Sequence, residues 1–237
     1  MMRVLIADIV TDEIPAGEKL PREADLAEKF GVSRGVAREC IRAMEERGLI
    51  SVKHGKGATV NGSDLWNMFD PDVVGGMLDS PRSVEILQSY IEARRIIEVE
   101  AAGLAAKRAR KGDLEKMADA LARMEESVRR PNSSAAEDLF HEADVAFHQA
   151  LFAATRNRPL GGLAEYIHAA LLAARWPLAR PQYRTERALP EHRAIYAAVA
   201  AGDVEAAKKA MTKHLKTIEG YLREHAASVN ATNGAAA

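Results

Sequence analysis

Apolar residues recur at spacings of three and four along most of this chain, the period of a helix with one buried face. Leu5, Ile6 and Ile9 predict a helix over residues 1–10, and Pro15 and Gly17 shape a loop over 12–20. A shorter helix follows over 22–30, with Ala24, Leu26, Ala27 and Phe30 apolar. After the turn Gly31-Val32, Ser33 is placed to cap a third helix, because its hydroxyl can accept from an unpaired backbone N–H of the first turn. That helix runs to Gly48, a residue suited to the left-handed conformation that ends helices. Its apolar stripe is read as Val36, Cys40, Ala43 and Met44, and Arg34, Arg38 and Arg42 form a basic stripe on another face. The period then changes. Leu49–Val52 and Ala58–Asn61 are β-prone and flank the turn His54-Gly55-Lys56-Gly57, which predicts a hairpin.

Residues 63–82 read as a linker carrying Pro71, Pro81, Gly75 and Gly76. Trp66, Met68, Phe69, Val73, Val74, Met77 and Leu78 make it too apolar for a free tether, so it is expected to pack on a neighbouring domain. From Ser83 onward the pattern is helical throughout, with helices expected over 83–109, 113–129, 135–154, 159–175, 190–201 and 203–227. The breaks are short, as in an antiparallel bundle. Residues 228–237 are small and polar and are expected to be disordered. The fold class is therefore mainly α: an N-terminal winged helix-turn-helix domain over 1–62, a linker over 63–82, and a C-terminal antiparallel all-helical bundle over 83–227.

A basic stripe alone has two readings, a solvated helix face or a DNA-reading face. Helix, turn, helix and a cation-bearing hairpin within about 40 residues favour the second, since the later helix of such a unit enters the major groove. At these residues, LPREADLAEKFGVSRGVARECIRAMEERGLISVKHGKGATV, the chain resembles the winged-helix reader of the GntR superfamily of bacterial transcription regulators. The resemblance implies operator contacts from Ser33, Arg34, Gly35, Arg38 and the wing residues His54, Gly55 and Lys56. Ala24 stands where some members carry a DNA-contacting arginine, and Arg22 is the neighbouring candidate to replace it. The first helix is also shorter than in relatives, which leaves an upstream start as an alternative.

Composition changes the picture in three places. The chain has 237 residues, 47% hydrophobic and 28% charged, enough for one large or two modest globular domains. Its single cysteine, Cys40, excludes an internal disulfide; on an apolar stripe it reads as a small buried hydrophobe rather than a redox sensor. No apolar run reaches membrane-spanning length and no signal peptide is evident, so no membrane partner is expected and the cytoplasm is the expected compartment. Net charge is −1 overall and zero over residues 1–60, but residues 33–56 carry six Lys/Arg against three Glu. DNA affinity must come from that patch, and a single reader would bind weakly. Two linked readers gain by effective concentration, which favours a homodimer on double-stranded, palindromic operator DNA.

The bundle carries candidate chemistry. Asp144 and His148 share a helix face with Phe140, Phe147 and Leu151, where an ionisable group needs a partner. An isolated pair of this kind is most simply a satisfied Asp–His contact. His192 and His214, however, lie ten residues before Gly202 and eleven after Asp203, so both stand roughly 15 Å from the same turn. One carboxylate and three imidazoles able to meet in a core make a ligand set for a divalent transition metal such as Zn2+, Ni2+ or Mn2+. Glu92-x-Arg94, Asp144-x-x-Phe147-His148, Asn157, Glu191-His192-Arg193, Gly202-Asp203 and His214-Leu215 resemble the FCD effector domain of the FadR branch of GntR regulators. Metal-binding members of that branch use an Asp and three His, which fall here on Asp144, His148, His192 and His214.

Arg94 shares a stripe with Leu87, Ile91 and Ala101 and is expected to point inward, where it needs an anion. That anion is either the carboxylate of a small organic-acid effector or an internal acid such as Glu98 or Asp144. Arg95 and Arg175 are weaker effector candidates. His141, His168 and His225 show no partner pattern and read as surface or packing residues. Trp66-Asn67 resembles the sugar-acid-responsive members of the branch, a pointer to an aldonate such as galactonate or gluconate. The expectation is a ligand-responsive transcriptional regulator, a repressor released by its effector, with no catalytic residues. The rivals are a metal-dependent enzyme in the bundle and a metal-free acyl-CoA sensor.

Overall fold

Each expected helix forms, and one more forms inside the linker. The computed structural model describes residues 1–53, 55, 57–78, 80, 83–130, 133–173 and 187–234, with side chains to residue 168 in the eighth helix and to residue 221 in the last. The described residues fall into two compact units, 1–86 with 169–173, and 87–168 with 187–234.

In the first unit, α1 (Met2–Val10), α2 (Glu23–Phe30) and α3 (Arg34–Glu46) precede the strands β1 (Ile50–Lys53) and β2 (Gly57–Val60). Ser33 caps α3 as expected, its Oγ accepting from the Val36 N–H at 3.2 Å. The buried arc of α3 is Ala37, Cys40, Ile41 and Met44. This corrects the stripe read from the sequence by one residue: Val36 is 52% exposed, and Ala37 and Ile41 turn inward in its place. The bulk of Ile41 decides the rotation, since Ala37, Cys40, Ile41 and Met44 form a continuous i, i+3, i+4, i+7 face and Val36 adds little area to it. The strands pair antiparallel, Ile50 opposite Val60 and Lys53 opposite Gly57. Residues 17–20 run alongside β2, with Leu20 N–H bonded to the Ala58 carbonyl at 3.0 Å and Val60 N–H to that of Glu18 at 2.8 Å.

The segment after the hairpin closes over the end of α3. Trp66 donates its indole N–H to the Asn61 carbonyl, and Asn67 N–H bonds to the Arg47 carbonyl. Arg47 reaches back with its guanidinium to Asp70 and Asp72 at 3.0 and 3.2 Å. The added helix is α4 (Pro71–Leu78), which packs on α1 so closely that a Cβ on Gly76 would lie 2.8 Å from Ile6 Cγ2. Its start signal was present in the sequence: Asp70 accepts from the Asp72 and Val73 N–H groups, and Pro71 occupies the first helical position. Two glycines in eight residues masked the helical period.

Gly48 is where this arrangement is least forgiving. Its φ is +74°, and a Cβ there would sit 2.0 Å from the Leu65 carbonyl oxygen. Gly48→Ala is expected to cost about 2–4 kcal/mol, from the left-handed backbone and the displaced chain together. Chemical denaturation checks this; an unchanged midpoint would mean that residues 62–67 yield freely.

The second unit holds α5 (Ser83–Arg108, shared with the first at its start), α6 (Lys111–Arg129), α7 (Ser134–Ala154), α8 (Arg158–Ala173, shared with the first at its end), α9 (Leu189–Ala200) and α10 (Val204–Gly234). The last helix continues through Ser228 to Gly234, where the composition suggested a disordered tail; alanines among the polar residues sustain it. α6 and α7 pair antiparallel, Ser127 donating to the Ala136 carbonyl and Arg123 meeting Glu142. α9 and α10 form a hairpin through Gly202, with Asp203 accepting from Ala206 N–H at the start of α10. Met117, Met124, Phe147, Leu151, Ile195 and Met211 fill the core between them. No described helix is long and apolar enough to cross a membrane.

Candidate metal centre and nucleic-acid interface

Three of the four expected ligands are fully sequestered. His148, His192 and His214 are 0%, 0% and 2% exposed, and their ring nitrogens lie within 4.8 Å of one another. They arrive from α7, α9 and α10. His192 Nε2 stands 3.4 Å from His148 Nε2 and 3.0 Å from Asp144 Oδ1. Asp144, one helical turn before His148, keeps 30% of its side chain exposed. Phe147 packs edge-on against His192 and walls the cluster on one side.

What holds each ring matters as much as the convergence. His192 Nδ1–H donates to the Ala188 carbonyl at 2.7 Å, on its own helix. His214 Nδ1–H donates to Glu191 Oε2 at 3.1 Å, and Thr217 donates to the other oxygen of Glu191 at 2.6 Å. His148 Nδ1 lies 3.0 Å from Glu98 Oε2. The Nδ1 hydrogen bonds of His192 and His214 leave the lone pair of those two rings on Nε2, the tautomer a metal ligand needs, while His148 Nδ1 stands close to Glu98 without a hydrogen bond. His214 Nε2 is buried with no hydrogen-bond partner among the described residues. A buried acceptor left so costs about 1–3 kcal/mol, and a cation would satisfy it. The donor set, three imidazoles and one carboxylate, therefore fits the divalent metal expected from the sequence.

Electrostatics point the same way. Burial alone would raise the Asp144 carboxyl, but the hydrogen bond from His192 and the charges of His192, His148 and His214 outweigh it and hold it ionised far below the usual range. Burial pushes His148 down to about 4 despite the opposing pull of Glu98. Burial, then the charge of His192, lowers His214 as well. Burial would also lower His192, but its bond to Asp144 wins and raises it. A divalent ion bound there would compete with protons for the lone pairs of Asp144 and His192.

Arg94 points inward as expected, 6% exposed, and its Nε donates to Glu98 Oε1 four residues on. Of the two anions considered for it, the described contact is the internal one. Sequence reasoning named Glu98 only as a possible partner of Arg94 and Glu191 only within the FCD-like motif; in the structure Glu98 stands 3.0 Å from His148 and Glu191 accepts from His214. It also read His168 as a surface or packing residue; its ring is 12% exposed and Nε2 lies 3.0 Å from Glu98 Oε1. Spacing offered no signal, because Glu98 and His168 are 70 residues apart. His141 is exposed, as read, and the side chain of His225 and all of Arg175 lie outside the described residues.

On the first unit, Ser33, Arg34, Gly35 and Arg38 are all exposed at the start of α3. Arg42, one turn further, is exposed and engaged with Glu46 at 3.2 Å. Arg22 is exposed at the start of α2 and borders an open groove with Ala24, Ile41, Val52 and Gly57. Gly55 is exposed at the hairpin turn, while His54 and Lys56 lie outside the described residues. Cys40 is buried, and that burial raises its thiol above the ordinary value.

Comparison with known proteins agrees with both units. Residues 2–60 match the family model for bacterial regulatory proteins of the gntR family, and residues 89–217 match the FCD domain. The HTH-type transcriptional regulator LutR of Bacillus subtilis (strain 168) is 33% identical over 92% of this chain and 99% of its own length. The galactonate operon transcriptional repressor of Escherichia coli (strain K12) is 29% identical over 91% of this chain and 92% of its own. Among solved structures, Lar of Listeria monocytogenes superposes with a TM-score of 0.66 at 20% identity, covering 94% of each chain, a likeness of fold. The chain is accordingly a member of the GntR family of bacterial transcription regulators, with an FCD domain as its second half, and not an enzyme.

Proposed function

We propose that this regulator binds a palindromic operator as a homodimer and senses a small organic acid at a metal centre formed by Asp144, His148, His192 and His214. The supporting observation is the convergence of three buried imidazoles, with the Nδ1 of His192 and of His214 held by hydrogen bonds. Zn2+, Ni2+ and Mn2+ all suit this donor set. A divalent ion bound there supplies a Lewis-acidic centre with positions open to a carboxylate oxygen. Asp144, the one partly exposed member, marks the side on which a small acid approaches. In this reading Arg94 pairs with the acid only when Glu98 releases it; otherwise it acts through Glu98. Relatives named for galactonate and L-lactate dehydrogenase operons favour a hydroxy acid, aldonates included. Ser33, Arg34, Gly35 and Arg38, with Arg22 and the wing residues His54, Gly55 and Lys56, form the DNA-reading surface. The regulator works in the cytoplasm as a repressor that the acid releases, which requires a few kcal/mol of differential affinity between operator-competent and incompetent states.

A thermal-shift screen of hydroxy and sugar acids, with and without chelator, tests the sensor half. One acid is expected to stabilise only the metal-loaded protein, by about 2.7 kcal/mol at a hundred times its Kd. Equal stabilisation by an acid in both forms would move recognition from the metal to Arg94. Stabilisation by an acyl-CoA in a protein without metal would overturn the reading.

A further inference from the structure

We propose that Glu98 is a positioning residue of the metal centre: clamped by Arg94 and His168, it orients His148 as a ligand and ties the centre to α5 and α8. The proposal rests on the metal reading above and adds a residue and a route to it.

Glu98 is 1% exposed, so its charge must be met by protein groups. Its Oε1 receives Arg94 Nε from one turn earlier on α5 and His168 Nε2, at 3.0 Å, from α8. Its Oε2 lies 3.0 Å from His148 Nδ1, yet the two atoms are out of line for a hydrogen bond, and neither has another partner among the described residues. Two complementary buried atoms at bonding distance, with no alternative, need only a small rotation of the imidazole to pair. That pairing places the proton on His148 Nδ1 and the lone pair on Nε2, towards Asp144, His192 and His214.

The same three side chains, Glu98, His148 and His168, also lie close enough to form a second cation site. The guanidinium of Arg94 argues against that use. It already supplies the positive charge on the Glu98 carboxylate, and a divalent ion beside it would meet repulsion in a buried setting. An orienting role uses all three described contacts of the Glu98 carboxylate.

The three ligand rings differ in what restrains them. His192 is held by its own helix through Ala188, and His214 by Glu191 on α9, itself a ligand-bearing helix. Only His148, among the described ligands, is held by a residue on a helix that bears no ligand. Through Glu98 a shift of α5 or α8 reaches the metal centre, and occupation of the centre reaches those helices in return. Thermodynamic coupling of this kind is reciprocal.

The test uses the full chain. Zn2+ affinity is measured by competition with a chromophoric chelator, and the visible spectrum of the Co2+-loaded protein reports ligand number and geometry. Glu98→Gln keeps the shape but offers one acceptor oxygen where two are needed. It is expected to weaken Zn2+ binding about 10- to 100-fold, the usual consequence of losing a ligand's supporting carboxylate. Should that variant fail to fold, the double variant Arg94→Met/Glu98→Leu removes both charges and decides the matter by the same measurements. A purely structural Glu98 would leave the affinity and the Co2+ spectrum of the folded variant unchanged, which overturns this proposal and spares the metal reading. A wild-type protein that binds no Zn2+ overturns both.

Discussion

His192→Ala is expected to lose its metal and, with it, its sensitivity to chelator. His192 sits at the middle of the cluster, 3.0 Å from Asp144 and 3.4 Å from His148, so its removal takes out the donor nearest to both. Metal analysis of purified protein should fall from about one ion per chain to near none. For the wild type, stripping the ion removes the binding free energy that holds the folded state. At a free metal concentration of a thousand times Kd this is about 4 kcal/mol. In a domain of this size that corresponds to roughly 10 °C in Tm. The absolute Tm of His192→Ala also falls, since truncating a fully buried ring leaves a cavity. The decisive quantity is therefore the difference made by chelator, large in the wild type and absent in the variant. A wild type whose Tm ignores chelator would sink the metal reading.

Arg38→Ala is expected to abolish useful operator affinity while leaving metal content and Tm unchanged. Arg38 is exposed, one turn beyond Arg34 on α3, and no described contact occupies its guanidinium. A bidentate contact of arginine with a base is worth about 1–3 kcal/mol, and a dimer on a palindrome loses it twice. The expected loss is from roughly 30-fold to roughly 20,000-fold in Kd. Fluorescence anisotropy on a duplex selected from a random library by the wild-type protein measures this at a stated salt concentration. Substitution of an exposed helix residue moves stability by no more than about 0.5 kcal/mol, so the fold serves as an internal control. Unchanged affinity would take Arg38 off the DNA-reading surface.

Helix boundaries were read closely because caps and breakers are local. Ser33, Gly48, Gly202 and Asp203 act through their own backbone neighbours, and the structure places them where such residues are expected. α4 is not legible from periodicity because Gly75 and Gly76 interrupt the apolar pattern, although Asp70-Pro71 marks its start. Val36 was put on the wrong face because one residue on a helix turns through about 100°, so two adjacent stripes compete whenever apolar residues are few. Ile41 settled that competition.

The candidate site divides along the same line. Asp144 and His148 are one turn apart, and His192 and His214 are level across one hairpin; both relations follow from helix geometry alone. That the two pairs meet depends on α7 packing beside the α9–α10 hairpin, which no local rule supplies. The same holds for Glu98 and His168, which touch across 70 residues.

By itself, then, the chain's sequence determined every described α-helix and strand but α4, the order of a DNA reader before a helical bundle, and which residue types could hold a metal. Periodicity, capping and turn chemistry act over a few residues and survive in the linear pattern. Only the tertiary structure decided that Arg94 rests on Glu98, that Glu98 and Glu191 stand against His148 and His214, and that His168 belongs to this network. Those contacts are choices made by packing between helices distant in sequence, where burial leaves each charge only the partners that the fold brings to it.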